Sequence, residues 1–410
     1  MGEQLHLNVN ILNSGVFGGS WRHPDNPPTS AYTIEHYTRV ARAAERAKLD
    51  AVFLADGPVL DGGLEHRSGN SFEPTVNLAH LSGVTSDIGL VGTLSSSYND
   101  ADELAHRLLG VDHLSGGRVG WNVVTTAGAA AARNFGRTAE PAHADRYTRA
   151  ADVVSRVVEA WDGAADPSPQ GRPVVVQAGG STDGVELAGR LGEVIFSASQ
   201  TLEEGIAYRA RVKAVAERHG RRPEDVVVLP GVSTVVAATE EEARRRRATL
   251  AELVPWPYAT ARLSAQLGFD VSAHDPDALV PLDLLPEPDD ADGSQTFYRL
   301  VLGIVRRERP TFRALLDRLG GGAGHRIVVG TPEQVADDLE TWFRAGGADG
   351  FNVMPDVLPS GFDDFAEGVV PVLQARGLFR REYDGSTLRA HLGLPVRPLP
   401  LTDRPLATTW

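Results

Sequence analysis

The feature that most restricts the fold of this chain is an alternation. Short apolar runs are separated by stretches in which apolar residues recur at helical period, and the pattern continues along most of the 410 residues. Repeated βα units read this way, because their strands are buried in a parallel sheet while the helices bury only one face. Strands are expected near 5–12, 51–56, 88–95, 118–125, 173–178, 193–198, 226–237 and 350–355. Helices fit near 33–48, 73–86, 100–112, 145–161, 183–191, 202–219, 239–252 and 332–345, with a last one near 363–376. Eight strands are what a closed (β/α)8 barrel, the TIM barrel, requires. Thr201 with Glu204, Thr239 with Glu242, and Thr331 with Pro332 and Gln334 have capping-box spacing, so three helix starts are marked by their own side chains.

An α/β barrel with insertions reaches this length as one unit, so residues 1–410 read as a single domain. Two stretches break the alternation: a Gly-rich loop at 57–72 and a long insertion at 253–325. Both are expected to overhang the C-terminal face of the barrel. Within the insertion PLDLLPEPDDADGS is acidic and Pro-rich, which fits a mobile lid and a solvated surface loop equally. The tail, 378–410, ends in LPVRPLPLTDRPLATTW and is expected to be extended, wrapping the body or a neighbouring subunit.

Composition removes several function classes. A net charge of -14 argues against a nucleic-acid partner, which calls for a basic face. With no cysteine there is no disulfide, thiolate nucleophile or zinc-thiolate site. The start MGEQLHLNVN lacks a basic, apolar leader and no run has membrane-spanning length, so the expected location is the cytoplasm, with no membrane partner. Neither G-x-G-x-x-G nor G-x-x-x-x-G-K-[ST] occurs, and no His spacing suits a metal.

Barrel enzymes display their chemistry where strands end. In DHLSGGRVGWNVVTT, Asp112 to Thr126, a Gly-broken turn feeds an apolar run that ends in Asn122, Thr125 and Thr126; a buried strand with its capping turn would read the same way. Asp56 ends the AVFLAD run and faces either the barrel mouth or a turn. Thr93 and Ser95 share one side of the third strand. His143 and Tyr147 lie one helical turn apart, able to face one ligand.

Together, SWRHPD (20–25), FLAD (53–56), DHLSGGRVGWNVVTT (112–126), RNFG (133–136), HADRY (143–147), PQGRPVVVQAGGS (169–181), HRIVVGTPEQVADDLE (325–340) and ADGFNVMP (348–355) resemble one family across nearly the whole chain. It is that of the FMN-dependent monooxygenases related to nitrilotriacetate monooxygenase, pristinamycin synthase and dibenzothiophene-sulfone monooxygenase, a luciferase-like branch of barrel enzymes. The resemblance implies a two-component oxidoreductase. A separate NAD(P)H:flavin reductase would supply reduced FMN, and O2 would react with it to give a flavin C4a-(hydro)peroxide that oxygenates a small organic substrate. It implies FMN contacts from Asp56, Thr93, Ser95, Asn122, Thr126, His143, Tyr147, Gly180 and Ser181, with His143 and Tyr147 at the phosphate. Gly179, Gly180 and Ser181 would complete that phosphate site, because glycines admit close backbone approach and a helix N-terminus favours an anion.

Asn122, His143 and Asp56 stand as the catalytic candidates. Asn13, Phe17, Trp21 and Phe351 stand as substrate-side candidates, with Trp256 in the insertion. A homodimer or homotetramer is implied by the same likeness. Two departures bear on chemistry. Relatives carry a His in the loop that here reads NSGVFGGS (13–20), and they carry several tens of residues where this chain crosses from Trp161 to PQGRP with DGAADPS alone. The pocket wall or subunit contact built there is expected to be reduced. The competing readings are a deazaflavin-dependent oxidoreductase and a non-catalytic flavin-binding protein; substrate-dependent product formation with O2 separates them.

Overall fold

The computed structural model describes residues 4–27, 29–59, 72–126, 128–139, 143–286, 295–320 and 324–396. Its strands are β1 (His6–Asn10), β2 (Ala51–Leu54), β3 (Gly89–Ser95), β4 (Val119–Val124), β5 (Val174–Ala178), β6 (Val194–Ser197), β7 (Val227–Val236), β8 (Arg326–Gly330) and β9 (Gly350–Pro355). All pairings are parallel. Strands β1 to β7 follow one another, β7 pairs with β9, and β9 returns to β1, closing an eight-stranded (β/α)8 barrel.

The ninth strand is a correction to the expected pattern. β7 is ten residues long, and β6 covers only Val227–Pro230 on one edge. Beyond that point the same edge would be unpaired, and β8 pairs it along Val232–Val236. The run RIVVG falls between the expected insertion and the helix Pro332–Arg344 and is not among the expected strands. Three β-branched residues between an arginine and a glycine carry too little period to mark a strand. The three expected capping boxes, at Thr201, Thr239 and Thr331, are all formed.

Strand alternation divides the core in two. Leu7, Val9, Val52, Leu54, Leu90, Leu94, Trp121, Val123, Phe351 and Val353 face outward into one apolar shell shared with the helices. Ala51, Phe53, Val91, Val174, Val176, Val194, Val227 and Leu229 face the lumen. The same inner cluster contains Leu388, Leu392 and Leu394 from the C-terminal segment.

The tail therefore corrects a second expectation: up to 394 it is no loose wrap but the plug of the barrel floor. Arg389, on the short helix Leu388–His391, is fully buried and meets Glu193 at the start of β6 through two bonds of 2.9 Å. Glu193 also accepts from the amide of Val175 at 3.0 Å. Burial pushes the Glu193 carboxyl up, but Arg389 and Arg172 outweigh it and hold it at about 2 against the usual 4.5. Residues 397–410 lie outside the described set.

The opening half of the most recognisable motif also serves the floor. Asp112 accepts from Gln170 Nε2 (2.8 Å), the Val119 amide (2.9 Å) and Ser168 Oγ (2.5 Å), and the Arg389 amide donates to Gln170 Oε1 at 3.3 Å. Arg118 is buried against the carbonyls of Ser82, Thr85, Ile88 and Ser115. The short crossing after Trp161 runs from the helix His143–Asp162 to β5, so in this chain it lies at the floor and forms no wall of the mouth.

The insertion folds as a helical layer with its own core, including Leu263, Val271, Tyr298, Val301, Phe312 and Leu315. Its described helices are Trp256–Leu267, Gln295–Glu308 and Phe312–Arg318. It reaches the barrel where strands end: the Gly18 amide meets the Gly320 carbonyl (3.4 Å) and Gln200 Nε2 donates to the Gly324 carbonyl (2.9 Å). Most of the acidic stretch, 287–294, lies outside the described residues, as does 60–71 of the Gly-rich loop.

Replacing Arg389 with alanine leaves Glu193 buried with only Arg172, at 3.3 Å, to balance its charge, and urea unfolding is expected to show a loss of about 3–5 kcal/mol. Because the folded pKa of Glu193 lies below its ordinary value, its contribution is complete above pH 4.5 and is lost as pH falls toward about 2. In Glu193→Gln that part of the acid dependence should disappear from an unfolding-versus-pH series.

Candidate functional site at the barrel mouth

A cavity of about 280 Å³ opens at the C-terminal ends of β4, β5 and β6, with Thr125, Tyr147, Gly179, Phe196, Ser197 and His325 among its lining. On its β3–β4 side, Thr93 and Asn122 are register partners whose side chains turn inward, and Asn122 Nδ2 donates to Thr93 Oγ1 at 2.9 Å. One layer higher, Thr126 Oγ1 donates to Ser95 Oγ at 2.7 Å. Asn122 is 4% exposed, and its Oδ1 has no partner among the described residues.

The opposite side is an anion cradle in form. β5 ends at Ala178, and after Gly179 and Gly180 the helix Thr182–Leu191 begins, capped by Ser181 Oγ, which accepts from the Gly184 amide at 3.1 Å. Ser181 Oγ also lies 3.3 Å from the Tyr147 hydroxyl. A Cβ on Gly179 would stand 2.9 Å from Gln177 Nε2 and 3.2 Å from the Gly184 Cα, so a side chain here would push the Gln177 amide aside and crowd the start of the helix. Tyr208 donates to the Gly179 carbonyl at 2.5 Å and holds that turn; burial pushes its phenol above the ordinary range.

Between the two sides runs an aromatic row. Phe53 meets Phe196 at 5.8 Å, and Phe196 stacks on His325 at 5.2 Å and 26°. The His325 ring lies on Gly231, whose added Cβ would come within 2.6 Å of Nδ1. Burial pulls its pKa down to about 4, so the imidazole is neutral near pH 7. Nδ1 has no partner among the described residues. His325 is not among the residues expected from sequence, because RIVVG gives no strand signal after it.

The remaining expected residues divide. Asp56 is half-buried just past the end of β2, and Gly180 is half-buried in the cradle turn. His143 opens the helix that carries Tyr147, but its side chain lies outside the described set. Phe351 is a correction: it sits on the outer face of β9, fully buried in the helical shell, and its neighbour Asn352 faces the lumen instead. Phe17 and Trp256 line a different cleft, of about 480 Å³, between the helix Glu240–Glu252 and the insertion, with the Arg247 guanidinium 4.9 Å from the Phe17 ring. Trp21, in the turn Ser20–Arg22, is half-buried with Arg22 over its ring, and Asn13 takes a left-handed turn (φ 48°) with its carbonyl 2.7 Å from His36 Nε2. No group of three or more His, Cys, Asp or Glu placed to hold a metal occurs among the described residues.

A family model described as Luciferase-like monooxygenase matches residues 17–350. Nitrilotriacetate monooxygenase component A of Aminobacter aminovorans is 40% identical over 450 aligned positions, covering 97% of this chain and 98% of that protein. The alignment is longer than this chain, so that relative has segments without a counterpart here. Among solved structures, EDTA monooxygenase from Chelativorans sp. BNC1 gives a TM-score of 0.82 at 32% identity, covering 97% of this chain and 100% of that one. A riboflavin lyase with modified FMN and substrate riboflavin gives 0.83 at 30%, covering 95% and 96%.

Replacing Gly231 with alanine should displace the His325 ring while the barrel persists. The expected cost is about 1–3 kcal/mol, as for other overpacked cores. A crystal structure of the variant with the ring unmoved on Phe196 would contradict the packing described.

Proposed function

The chain belongs to the luciferase-like monooxygenase family, and from that premise we propose that it is the oxygenating component of a two-component system, using reduced FMN from a separate NAD(P)H:flavin reductase and O2 to oxygenate a small organic substrate. The observation that carries the reading is the facing of two unlike surfaces across one mouth. One is a glycine turn and helix N-terminus with two hydroxyls. The other is a pair of inward polar side chains with an orphaned amide oxygen.

The residues fit FMN by their chemistry. The amides of the first turn of Thr182–Leu191, with Ser181 and Tyr147, suit a phosphate. The unpartnered Oδ1 of Asn122 suits an N–H at a ring edge, and Phe196 offers an aromatic face. When bound, reduced FMN supplies the reaction with O2, as expected of a cofactor that carries the difficult chemistry. The chain's part is to hold the phosphate, orient the ring through Asn122 and Thr93, and keep water from the mouth beneath the insertion. Having been solved with modified FMN, the lyase relative supports a flavin here. The loop Asn13–Ser20 lacks the expected His, so proton handling at the mouth falls to groups already present, and the neutral imidazole of His325 is placed there.

Anaerobic titration with reduced FMN is expected to saturate. Rapid mixing with oxygenated buffer should then give a flavin absorbance transient that outlives free reduced flavin and decays faster with a true substrate. Binding without any such transient would favour a non-catalytic carrier, and no binding would overturn the proposal. Ser181→Ala and Tyr147→Phe should each weaken reduced FMN by roughly tenfold, the scale of one hydrogen bond to a charged group. Asp56→Ala should lower coupled turnover with little change in stability, measured as product formed per flavin oxidised.

A further inference from the structure

One side of the barrel lumen is built unlike the rest. Where β2, β5, β6 and the lower part of β7 turn inward they present Ala51, Phe53, Val174, Val176, Val194 and Leu229, in one cluster with the floor leucines. Where β1 and β9 turn inward they present Asn8, Asn10 and Asn352, and upper β7 adds Gly231 and Ser233. The intervening residues Leu7, Val9, Phe351, Val353 and Val232 belong to the outer shell, so alternation directs the asparagines to the lumen. Register sets Asn8 beside Asn352 and Asn352 beside Gly231, on which the His325 ring lies.

These groups are buried and orphaned together. Asn8 is 3% exposed, Asn10 2%, and Asn352 and Ser233 1% each. Among the described residues, Oδ1 of Asn8 and of Asn10, both amide atoms of Asn352, Oγ of Ser233 and Nδ1 of His325 have no hydrogen-bond partner. Scattered orphans are packing defects, but these occupy adjacent strands only about 4.8 Å apart. Buried polar groups in folded proteins are met by protein or by ordered water, and a water needs two or more such partners around it. Asn352 offers a donor and an acceptor at once, and at Gly231 the place of a side chain is taken by the His325 ring, which brings Nδ1 to this group. The strands that form this side, β1, β9 and β7, carry no acidic residue, so the chemistry suits a neutral guest.

We propose that the β1–β9 side of the lumen is an internal water-binding site, in which a small cluster of ordered waters bridges Asn8, Asn10 and Asn352 and supplies the hydrogen bond to Nδ1 of His325. Asn352 is then a positioning residue: through water it selects the tautomer and angle of an imidazole that lines the mouth. The inference rests on packing alone and stands apart from the flavin reading.

The first test is a high-resolution crystal structure of the wild-type chain, with solvent peaks expected within hydrogen-bond distance of Asn8, Asn352 and His325 Nδ1. The second compares Asn352→Leu with Asn352→Ser by melting temperature and by the 15N shifts of the His325 ring. Leucine should evict water, strand Asn8, lower the melting temperature and move the His325 shifts, while serine, which keeps a hydroxyl and leaves room for water, should preserve them. A lumen without solvent density, a metal cation in place of water, or a leucine variant that melts higher with unchanged His325 shifts would overturn the proposal.

Discussion

The ion pair between Arg389 and Glu193 is the contact on which the rest of this barrel leans. A closed parallel barrel has two open ends, and only one can be a site; the other has to be stopped against water. Here the stop is a short helix whose leucines enter the lumen from below while its arginine is gripped by two carboxylate oxygens at the foot of β6. A guanidinium that is fully buried is tolerable only because its donors are met, by Glu193 and by the carbonyl of Arg172. The pair therefore fixes where the last helix sits, and through Gln170 it is tied to Asp112 and the start of β4.

From that floor the barrel changes character with height. The lowest inward layer is leucine and valine, the next sets aromatic rings against a row of asparagines, and the mouth carries hydroxyls, glycines and a helix N-terminus. Each strand contributes to more than one layer, which is why the same short motif holds both scaffold and site. Asp112 and Arg118 serve the floor, while Asn122 and Thr125, a few residues on, serve the mouth. The long strand β7 extends this division. Its first half closes the barrel with β6, and its second half rises past β6 to take β8, bringing His325 over Gly231.

Much of this was legible beforehand because it depends on near neighbours in the chain. Parity along GLVGTLS puts Thr93 and Ser95 on one side, Asn122 reads as lying near the end of the next strand, and the structure pairs Thr93 with Asn122. The turn before Thr182 showed itself through two glycines and a capping serine. Phe351 shows the limit of the same principle: nearness to a strand end does not say which face a residue takes, and parity turns Phe351 outward and Asn352 inward. Phe17 and Trp256 were placed at strand ends and an overhanging insertion, yet both border a cleft against the helix Glu240–Glu252. That cleft exists only because the insertion has folded.

By itself, then, the order of residues determined the alternation of strand and helix, the capped helix starts, the inward or outward parity of each strand and the family likeness. All of these are set within a few residues, by steric and hydrogen-bonding preferences that do not need the rest of the chain. Tertiary structure alone decided that an added strand, β8, pairs with the upper half of β7, that the C-terminal helix fills the floor, and that His325 stands over Gly231. Those outcomes join segments tens to hundreds of residues apart, and each is selected by which distant surface leaves an edge unpaired, a lumen unfilled or a charge unmet.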